Sequence, residues 1–221
     1  MTVQVNIMIL TKILGRLTNQ ALLVAICLFS PLIHAYEVNM SDSGVKASAT
    51  ALFSGLEESL RTLKGNNQLT LENVKTMLNN QLIPASNTKY FAFKVLGKNL
   101  AKLNEEQKIA FIDALTQNLI DSYASILVKY HNEKIIINAP KMQPSGKMAN
   151  VGIELQNLEK SVKAISTWRF NETSNTWKIF DIVIEGVSLL QSKQAEVGSS
   201  ISRNGIEGTL EKLNNNNSKS H

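Results

Sequence analysis

The sequence predicts an α+β domain in which helices wrap around a curved, mainly antiparallel sheet of about four strands. Apolar residues recur at steps of three and four through residues 48–130, which is the spacing of helices with one buried side. Through residues 134–184 they alternate with polar residues, as they do in strands. Helical spacing returns after Gly186. Helices, then strands, then helices is the element order of the α+β class.

Three helices are expected before residue 97, because each has a recognisable start or stop signal. Gly65 follows the apolar stripe of the first helix, and Thr70 precedes the stripe of the second. Ser86 or Asn87 is placed to cap the third helix, and Gly97 is placed to end it. Short polar side chains satisfy free backbone N–H groups at helix starts, and glycine is common where helices end.

The fourth helix is expected to be the longest. Asn104 and Gln107 have the spacing of a capping box, and Glu105 and Glu106 suit the positive end of the helix dipole. The apolar stripe that follows is wide enough to serve two sides of the helix. It comprises Phe111, Ile112, Ala114, Leu115, Leu119, Ile120, Tyr123, Ile126, Leu127 and Tyr130.

Strands are expected at residues 134–139, 149–155, 162–170 and 177–184, with a polar hairpin loop between the last two. Both faces of the last strand are apolar, so we expect each side of the sheet to be covered, helices being the obvious cover. A final short helix is expected after Gly205.

The N-terminal residues 1–35 have the pattern of a cleavable secretory signal peptide. Lys12 and Arg16 precede the apolar run Ala21–Ile33, and Ala35 is placed for cleavage. The alternative is a membrane anchor, but the run has 13 residues, where a spanning helix needs ~20. We therefore expect an exported, periplasmic protein with one domain at residues 36–213 and a disordered polar tail at 214–221.

Charge and cysteine content exclude several classes of function. Removal of residues 1–35 leaves 21 basic and 18 acidic residues, and the basic residues are dispersed, which argues against nucleic acid as a partner. Cys27 is discarded with the leader, so the mature chain has neither a disulfide nor a thiol nucleophile.

No catalytic or metal-binding site is expected. His131 is the only histidine between the leader and the last residue, and its position suits the C-terminal end of a helix better than catalysis. Asp181 and Glu185 lie ~13 Å apart on a strand, too far for shared acid and base chemistry. No cofactor motif is present. The apolar excess that remains is either core or the lining of a pocket, and periodicity does not separate the two.

The order of several motifs resembles the MlaC family. The first set is Leu82-Ile83-Pro84, Lys89-Tyr90-Phe91-Ala92, Val95-Leu96-Gly97, Glu106-Gln107 and Phe111. The second is Thr167-Trp168-Arg169, Trp177, the run from Phe180 to Ser188, Lys193-Gln194, Gly198 and Gly205-Ile206. Two departures are Leu100, where many members have an aromatic residue, and Lys193-Gln194, where many have Tyr-Arg.

This resemblance implies a periplasmic carrier in Gram-negative bacteria that holds phospholipid tails in a deep apolar pocket and has no catalytic residue. The implied partners are an inner-membrane ABC transporter complex with a periplasmic MCE-domain subunit and an outer-membrane complex of a lipoprotein with a porin. The implied role is lipid shuttling that maintains outer-membrane asymmetry.

If the resemblance holds, the candidates for the lipid-binding lining are large apolar and aromatic residues of the third and fourth helices and of the last strands. They are Tyr90, Phe93, Leu96, Phe111, Leu115, Leu119, Tyr123, Trp168, Phe180, Ile182 and Val187.

Two other classes of function stay open. The first is a small enzyme on a cone-shaped scaffold of the steroid-isomerase type, using Asp181 or Glu185 in an apolar pocket. The second is a periplasmic adaptor with no small ligand, whose apolar excess serves protein contacts.

Overall fold

The computed structural model describes residues 41–129, 133–156 and 161–218. The expected signal peptide and His131 lie outside these residues. In these residues five helices and five strands follow one another, helices first, then strands, then one kinked helix where two were predicted. The α+β prediction is confirmed, and the antiparallel sheet is curved and unclosed.

The helices begin and end close to the predicted signals. Their bounds are α1 Asp42–Gly65, α2 Leu71–Ala85, α3 Thr88–Leu96, α4 Glu105–Leu127 and α5 Leu189–Ser218, with a 3₁₀ turn at Gly97–Lys102 between α3 and α4. Helix α1 begins six residues earlier than its apolar stripe indicates. Helix α5 reaches Ser218, five residues beyond the predicted end of the domain.

Side-chain caps explain where three of these helices begin. Thr70 and Asn87 accept hydrogen bonds from backbone N–H groups of the first turns of α2 and α3. Asn104 and Gln107 form the complete reciprocal capping box of α4, which satisfies two N–H groups that the helix itself leaves free. Gly205 has φ 69° and ψ −177° and kinks α5, because only glycine adopts this conformation readily.

The strands form one antiparallel meander in the order β1-β2-β3-β4-β5. They comprise β1 Lys134–Met142, β2 Met148–Gln156, β3 Ser161–Asn171, β4 Thr176–Ile184 and the two-residue β5 Val187–Ser188. Strand β5 was not predicted. It pairs with β4 through a two-residue turn in which Glu185 and Gly186 both have positive φ, the backbone requirement of a tight hairpin.

A bulge in β4 changes which side chains share a face of the sheet. Trp168 pairs with Ile179 and Ser166 with Ile182, so that Phe180 is an extra residue. Residues directly opposite one another point to the same face. Ile179 and Ile182 therefore lie on one face, although strict alternation assigns them to opposite faces. One extra residue shifts the alternation, so the apolar side chains of β4 are divided between the two faces differently from the predicted pattern.

The inner face of the sheet is packed against α1 at one end. Its buried core contains Phe53 of α1 together with Val151, Trp168, Phe170 and Trp177 of the sheet. Two further apolar clusters join α3, α4 and α5, and α1, α2 and α4. None of the helices in the described part of the chain combines the length and hydropathy of a membrane span.

Candidate functional site

A cavity of about 620 Å³ lies between helices α1, α2 and α4 and the inner face of the sheet. Its wall is dominated by leucine, isoleucine and phenylalanine. The apolar wall comprises Phe53, Leu56, Leu60, Leu78, Leu82, Ile83, Phe91, Leu115, Leu119, Ile120, Ile126, Leu127, Ile135, Ile153, Leu155, Val162, Ala164, Ile179, Phe180, Ile182, Ile184 and Leu189.

Helix α4 supplies one continuous wall of this cavity. Leu115, Leu119 and Tyr123 are spaced by four residues and all line it, and Ile126 and Leu127 extend the wall by another turn. Residues four apart lie above one another on a helix. The wall therefore runs along the helix axis over about three turns.

The cavity opens at the C-terminal end of α4. Among its lining residues, Leu115 is 1% exposed, whereas Ile126 is 63% exposed and Ile184, at the end of β4, is 38% exposed. Lys129 and Glu133 also line the cavity and place charged groups at this mouth. The interior is thus apolar and the entrance carries both signs of charge.

Tyr123 and Asp181 are polar groups in the wall. Burial, with a further contribution from the negative charge of Asp181, raises the pKa of Tyr123 to about 12, so its hydroxyl remains a hydrogen-bond donor at neutral pH. The carboxylate of Asp181 accepts hydrogen bonds from Ile182 N, Leu190 N and Ser188 Oγ at 2.8–2.9 Å. These bonds fasten β4 to the start of α5.

The predicted lining residues divide into two groups. Five of them line the cavity: Leu115, Leu119, Tyr123, Phe180 and Ile182. The other six lie outside its lining: Tyr90, Phe93, Leu96, Phe111, Trp168 and Val187. Whether any of them contacts a ligand stays a prediction.

Helix packing explains the positions of four residues in the second group. Leu96 and Phe111 are buried in the apolar cluster that joins α3, α4 and α5, and Phe111 lies one turn before the part of α4 that reaches the cavity. The Tyr90 ring packs edge-on against Phe180, with ring centroids 5.0 Å apart. Phe93 is half-buried, and the Lys89 ammonium lies 5.6 Å from its ring centroid.

Sheet geometry explains the other two. Trp168 is 0% exposed, and its Nε1 donates a 2.9 Å hydrogen bond to Ser166 Oγ, at the packed end of the inner face. Val187 follows the tight β4-β5 turn, pairs with Ile184 and is 64% exposed, because it lies at the turn end of the short hairpin.

Sequence reasoning missed the walls formed by α1, α2 and the first three strands. Leu56, Leu60 and Leu78 lie at helical spacing in the sequence and Leu82 is part of a family motif, and apolar residues at helical spacing are ordinarily core. No signal in the sequence distinguishes them from core residues, because burial against a cavity and burial against side chains require the same apolar surface.

The two carboxylates of the enzyme alternative, Asp181 and Glu185, both accept hydrogen bonds from the protein. Asp181 is engaged by the three donors described above, and Glu185 Oε1 accepts a hydrogen bond from Lys163 N. The described residues contain no group of three or more His, Cys, Asp or Glu side chains placed to hold a metal ion. Both carboxylates thus have structural roles in joining strands.

The fold and the cavity together define an α+β protein that encloses an apolar ligand space. Residues 54–215 match the family described as MlaC protein. Because this match covers most of the chain, the chain belongs to the MlaC family, as its sequence motifs predicted.

Individual relatives agree with this assignment. The intermembrane phospholipid transport system binding protein MlaC of Haemophilus influenzae is 25% identical over 171 residues, which is 76% of this chain and 78% of the relative. The toluene tolerance protein ttg2D of Pseudomonas putida is 22% identical over 104 residues, or 47% of each chain.

The fold also matches a solved structure. A phospholipid-binding protein from Ralstonia solanacearum, determined in complex with a phospholipid, superposes with a TM-score of 0.70 at 21% identity. The match covers 79% of this chain and 97% of the Ralstonia chain. At this identity the likeness establishes the shared fold.

Proposed function

We propose that this protein is a periplasmic carrier that binds phospholipid by its acyl chains in the cavity. The observation that carries the proposal is an apolar cavity of about 620 Å³ that opens through a charged mouth. Such a shape suits a molecule with long apolar tails and a polar head. The names of the Haemophilus and Ralstonia relatives refer to phospholipid transport and phospholipid binding, which supports the same ligand class for this chain.

The capacity of the cavity suits acyl chains. If a methylene takes ~30 Å³, about the share of a water molecule in the liquid, a cavity of 620 Å³ accepts ~20 methylenes. Exposing those methylenes to water costs ~16 kcal/mol at ~0.8 kcal/mol each. An apolar wall removes most of this cost, so a lipid tail crosses the aqueous space without direct exposure.

The cellular setting is a proposal of the same kind. The name of the Haemophilus relative refers to intermembrane phospholipid transport, which supports export of this chain to the periplasm, with the leader cleaved after Ala35. We propose exchange with an inner-membrane ABC transporter complex carrying an MCE-domain subunit and with an outer-membrane lipoprotein–porin complex. Cavity and bilayer offer tails similar surroundings, so these partners set the direction of transport.

No chemical step is required of such a carrier. Binding and release change the surroundings of the lipid but break no covalent bond. The side chains that matter are therefore those that shape the cavity and its mouth, and we propose Leu115, Leu119, Tyr123, Phe180 and Ile182 among the lipid contacts.

The decisive experiment is mass spectrometry of organic extracts from protein purified out of the periplasm without detergent. We expect phospholipid in about stoichiometric amount with folded protein. The control is a mock purification from cells that lack the expressed gene, taken through the same columns. Folded protein whose extract matches the mock would refute the carrier proposal and favour the adaptor.

A further inference from the structure

Helix α4 and the turn that follows it place three kinds of side chain in series along the cavity. Leu115 and Leu119 line the deep part, Tyr123 follows one turn later, and Lys129 lies at the mouth. At 1.5 Å per residue, Leu115 is ~12 Å along the helix axis from Tyr123, and Lys129 lies in the other direction, just beyond the end of α4. A phospholipid has the same order of groups: phosphate, acyl esters and hydrocarbon tails.

The Tyr123 hydroxyl is a donor without an internal partner. It lies in a wall that is otherwise mostly apolar, and within the described residues no hydrogen bond of this hydroxyl is found. It stays protonated well above neutral pH, because burial and the nearby Asp181 charge raise its pKa to about 12. Once a ligand fills the cavity and excludes water, leaving this hydroxyl unpaired is costly, so a ligand that brings an acceptor to this depth is favoured.

Asp181 and Lys129 determine which acceptor reaches that depth. Asp181 lines the cavity, and its effect on Tyr123 places its negative charge near the hydroxyl. That charge repels a phosphate, whereas at the mouth, which also carries the Glu133 carboxylate, the Lys129 ammonium attracts one to its own side. A neutral acceptor, such as an ester carbonyl, is not repelled in this way.

We propose that Tyr123 donates a hydrogen bond to an acyl ester carbonyl of the bound lipid, while Lys129 holds the phosphate at the mouth. This inference rests on the proposed carrier function and adds a ligand specificity to it. The preferred ligand class is the ester-linked glycerophospholipid. An ether-linked analogue lacks the carbonyl and leaves the Tyr123 hydroxyl unpaired.

The test is a competition between dipalmitoyl phosphatidylcholine and its dihexadecyl ether analogue. Delipidated full-length protein is incubated with vesicles containing the two lipids in equal amounts, repurified without detergent and extracted for mass spectrometry. We expect the wild type to retain the ester lipid between about twofold and tenfold over the ether, the range of one hydrogen bond. We expect Tyr123→Phe to retain both equally.

The matched control is Tyr90→Phe, which removes the same hydroxyl from a ring that lies outside the cavity lining. It should keep the preference of the wild type. A wild type that carries both lipids equally, or a Tyr123→Phe variant that keeps the preference, would overturn the Tyr123 contact while leaving the carrier function intact. A wild type that takes up neither lipid would count against the carrier function itself.

A second comparison tests the position of the phosphate. Lys129→Gln should lower retention of dipalmitoyl phosphatidylcholine severalfold relative to dipalmitoylglycerol, which has the same chains and esters but no phosphate. Lys46→Gln, on the exposed side of α1, is the control and should leave this ratio unchanged. An unchanged ratio in Lys129→Gln would overturn the placement of the phosphate at Lys129.

Discussion

Leu119 and Trp168 are both interior residues with large apolar side chains, but their neighbours differ. Leu119 faces the cavity from α4. Trp168 is fully buried, packs edge-on against Phe53 with ring centroids 6.3 Å apart, and donates to Ser166. A change at Leu119 should therefore act on the ligand, whereas a change at Trp168 should act on stability.

Leu119→Glu should fold but lose bound lipid by about tenfold or more, because a carboxylate among acyl chains is costly to desolvate. The measurement is lipid per mole of folded protein by mass spectrometry. Ile109→Glu is the control, since Ile109 is on the same helix but 60% exposed and outside the cavity lining. Equal lipid content in the two variants would contradict the assignment of Leu119.

Trp168→Phe should lower the free energy of unfolding by about 1–3 kcal/mol, through lost packing and the lost hydrogen bond to Ser166. Urea denaturation measures the change. Lipid per folded molecule should stay at the wild-type value, because Trp168 is not in the lining. A stable variant that has lost its lipid would show that Trp168 contacts the ligand after all.

Tyr123 should make stability fall at alkaline pH. Its pKa is about 12 in the folded protein against 10.0 ordinarily, so the unfolded chain releases this proton first as the pH rises. The contribution of the protonated Tyr123 hydroxyl to the free energy of unfolding is complete below pH 10 and is lost between pH 10 and about pH 12. Delipidated wild type should lose about 1 kcal/mol relative to Tyr123→Phe by pH 11. Urea denaturation of both proteins at pH 8 and pH 11 measures this difference. An equal loss of the free energy of unfolding in wild type and Tyr123→Phe would contradict the prediction.

At the scale of elements, a buried ion pair joins two walls of the cavity. Lys75 Nζ of α2 lies 2.8 Å from Asp121 Oδ1 of α4, and both side chains are almost fully buried. Gln117 Nε2 donates a 3.2 Å hydrogen bond to the same carboxylate. Both helices contribute cavity lining on adjoining turns. The pair therefore helps to define the spacing of α2 and α4, and hence the width of the cavity.

Lys75→Met should cost about 3–5 kcal/mol of the free energy of unfolding, because Asp121 is left as an uncompensated buried charge. The double variant Lys75→Met, Asp121→Leu should recover most of that loss, since both charges are then absent. Urea denaturation of the two variants measures the difference. A double variant as unstable as the single one would indicate that packing, and not charge, dominates at this contact.

At the scale of the whole molecule, the two ends of the inner sheet face serve different purposes. Around Trp168, Phe170 and Trp177 the sheet is packed against α1 without a cavity. Toward Leu155, Val162 and Ile184 the helices stand away from the sheet and enclose the ligand space. The packed end supplies stability that does not depend on a ligand, and the open end gains stability when it is filled.

Removal of the lipid should therefore lower the melting temperature without unfolding the protein. A ligand present at 100 times its Kd contributes about 2.7 kcal/mol, which for a chain of this size corresponds to roughly 5–10 °C. Differential scanning calorimetry of native and delipidated protein measures the shift. Leu119→Glu should melt at the same temperature before and after delipidation. A shift of equal size in that variant would point to damage during extraction.

Local sequence signals determined most of the secondary structure. The capping box of Asn104 and Gln107, the cap at Thr70 and a helical break at Gly205 were predicted, because each depends on hydrogen bonds or backbone angles within a few residues. Motifs such as the run from Phe180 to Ser188 also indicated the family, which the match of residues 54–215 confirms.

Tertiary structure decided which apolar side chains surround empty space. The bulge at Phe180 brings Ile179 and Ile182 to one face, and its position depends on pairing with β3 rather than on β4 alone. Leu115 lines the cavity whereas Phe111, one turn earlier on α4, is packed against neighbouring helices. The sequence by itself determined the helices, the four longer strands and the family. Only the distance between packed elements separates a cavity wall from a core, because transfer out of water favours apolar residues equally in both.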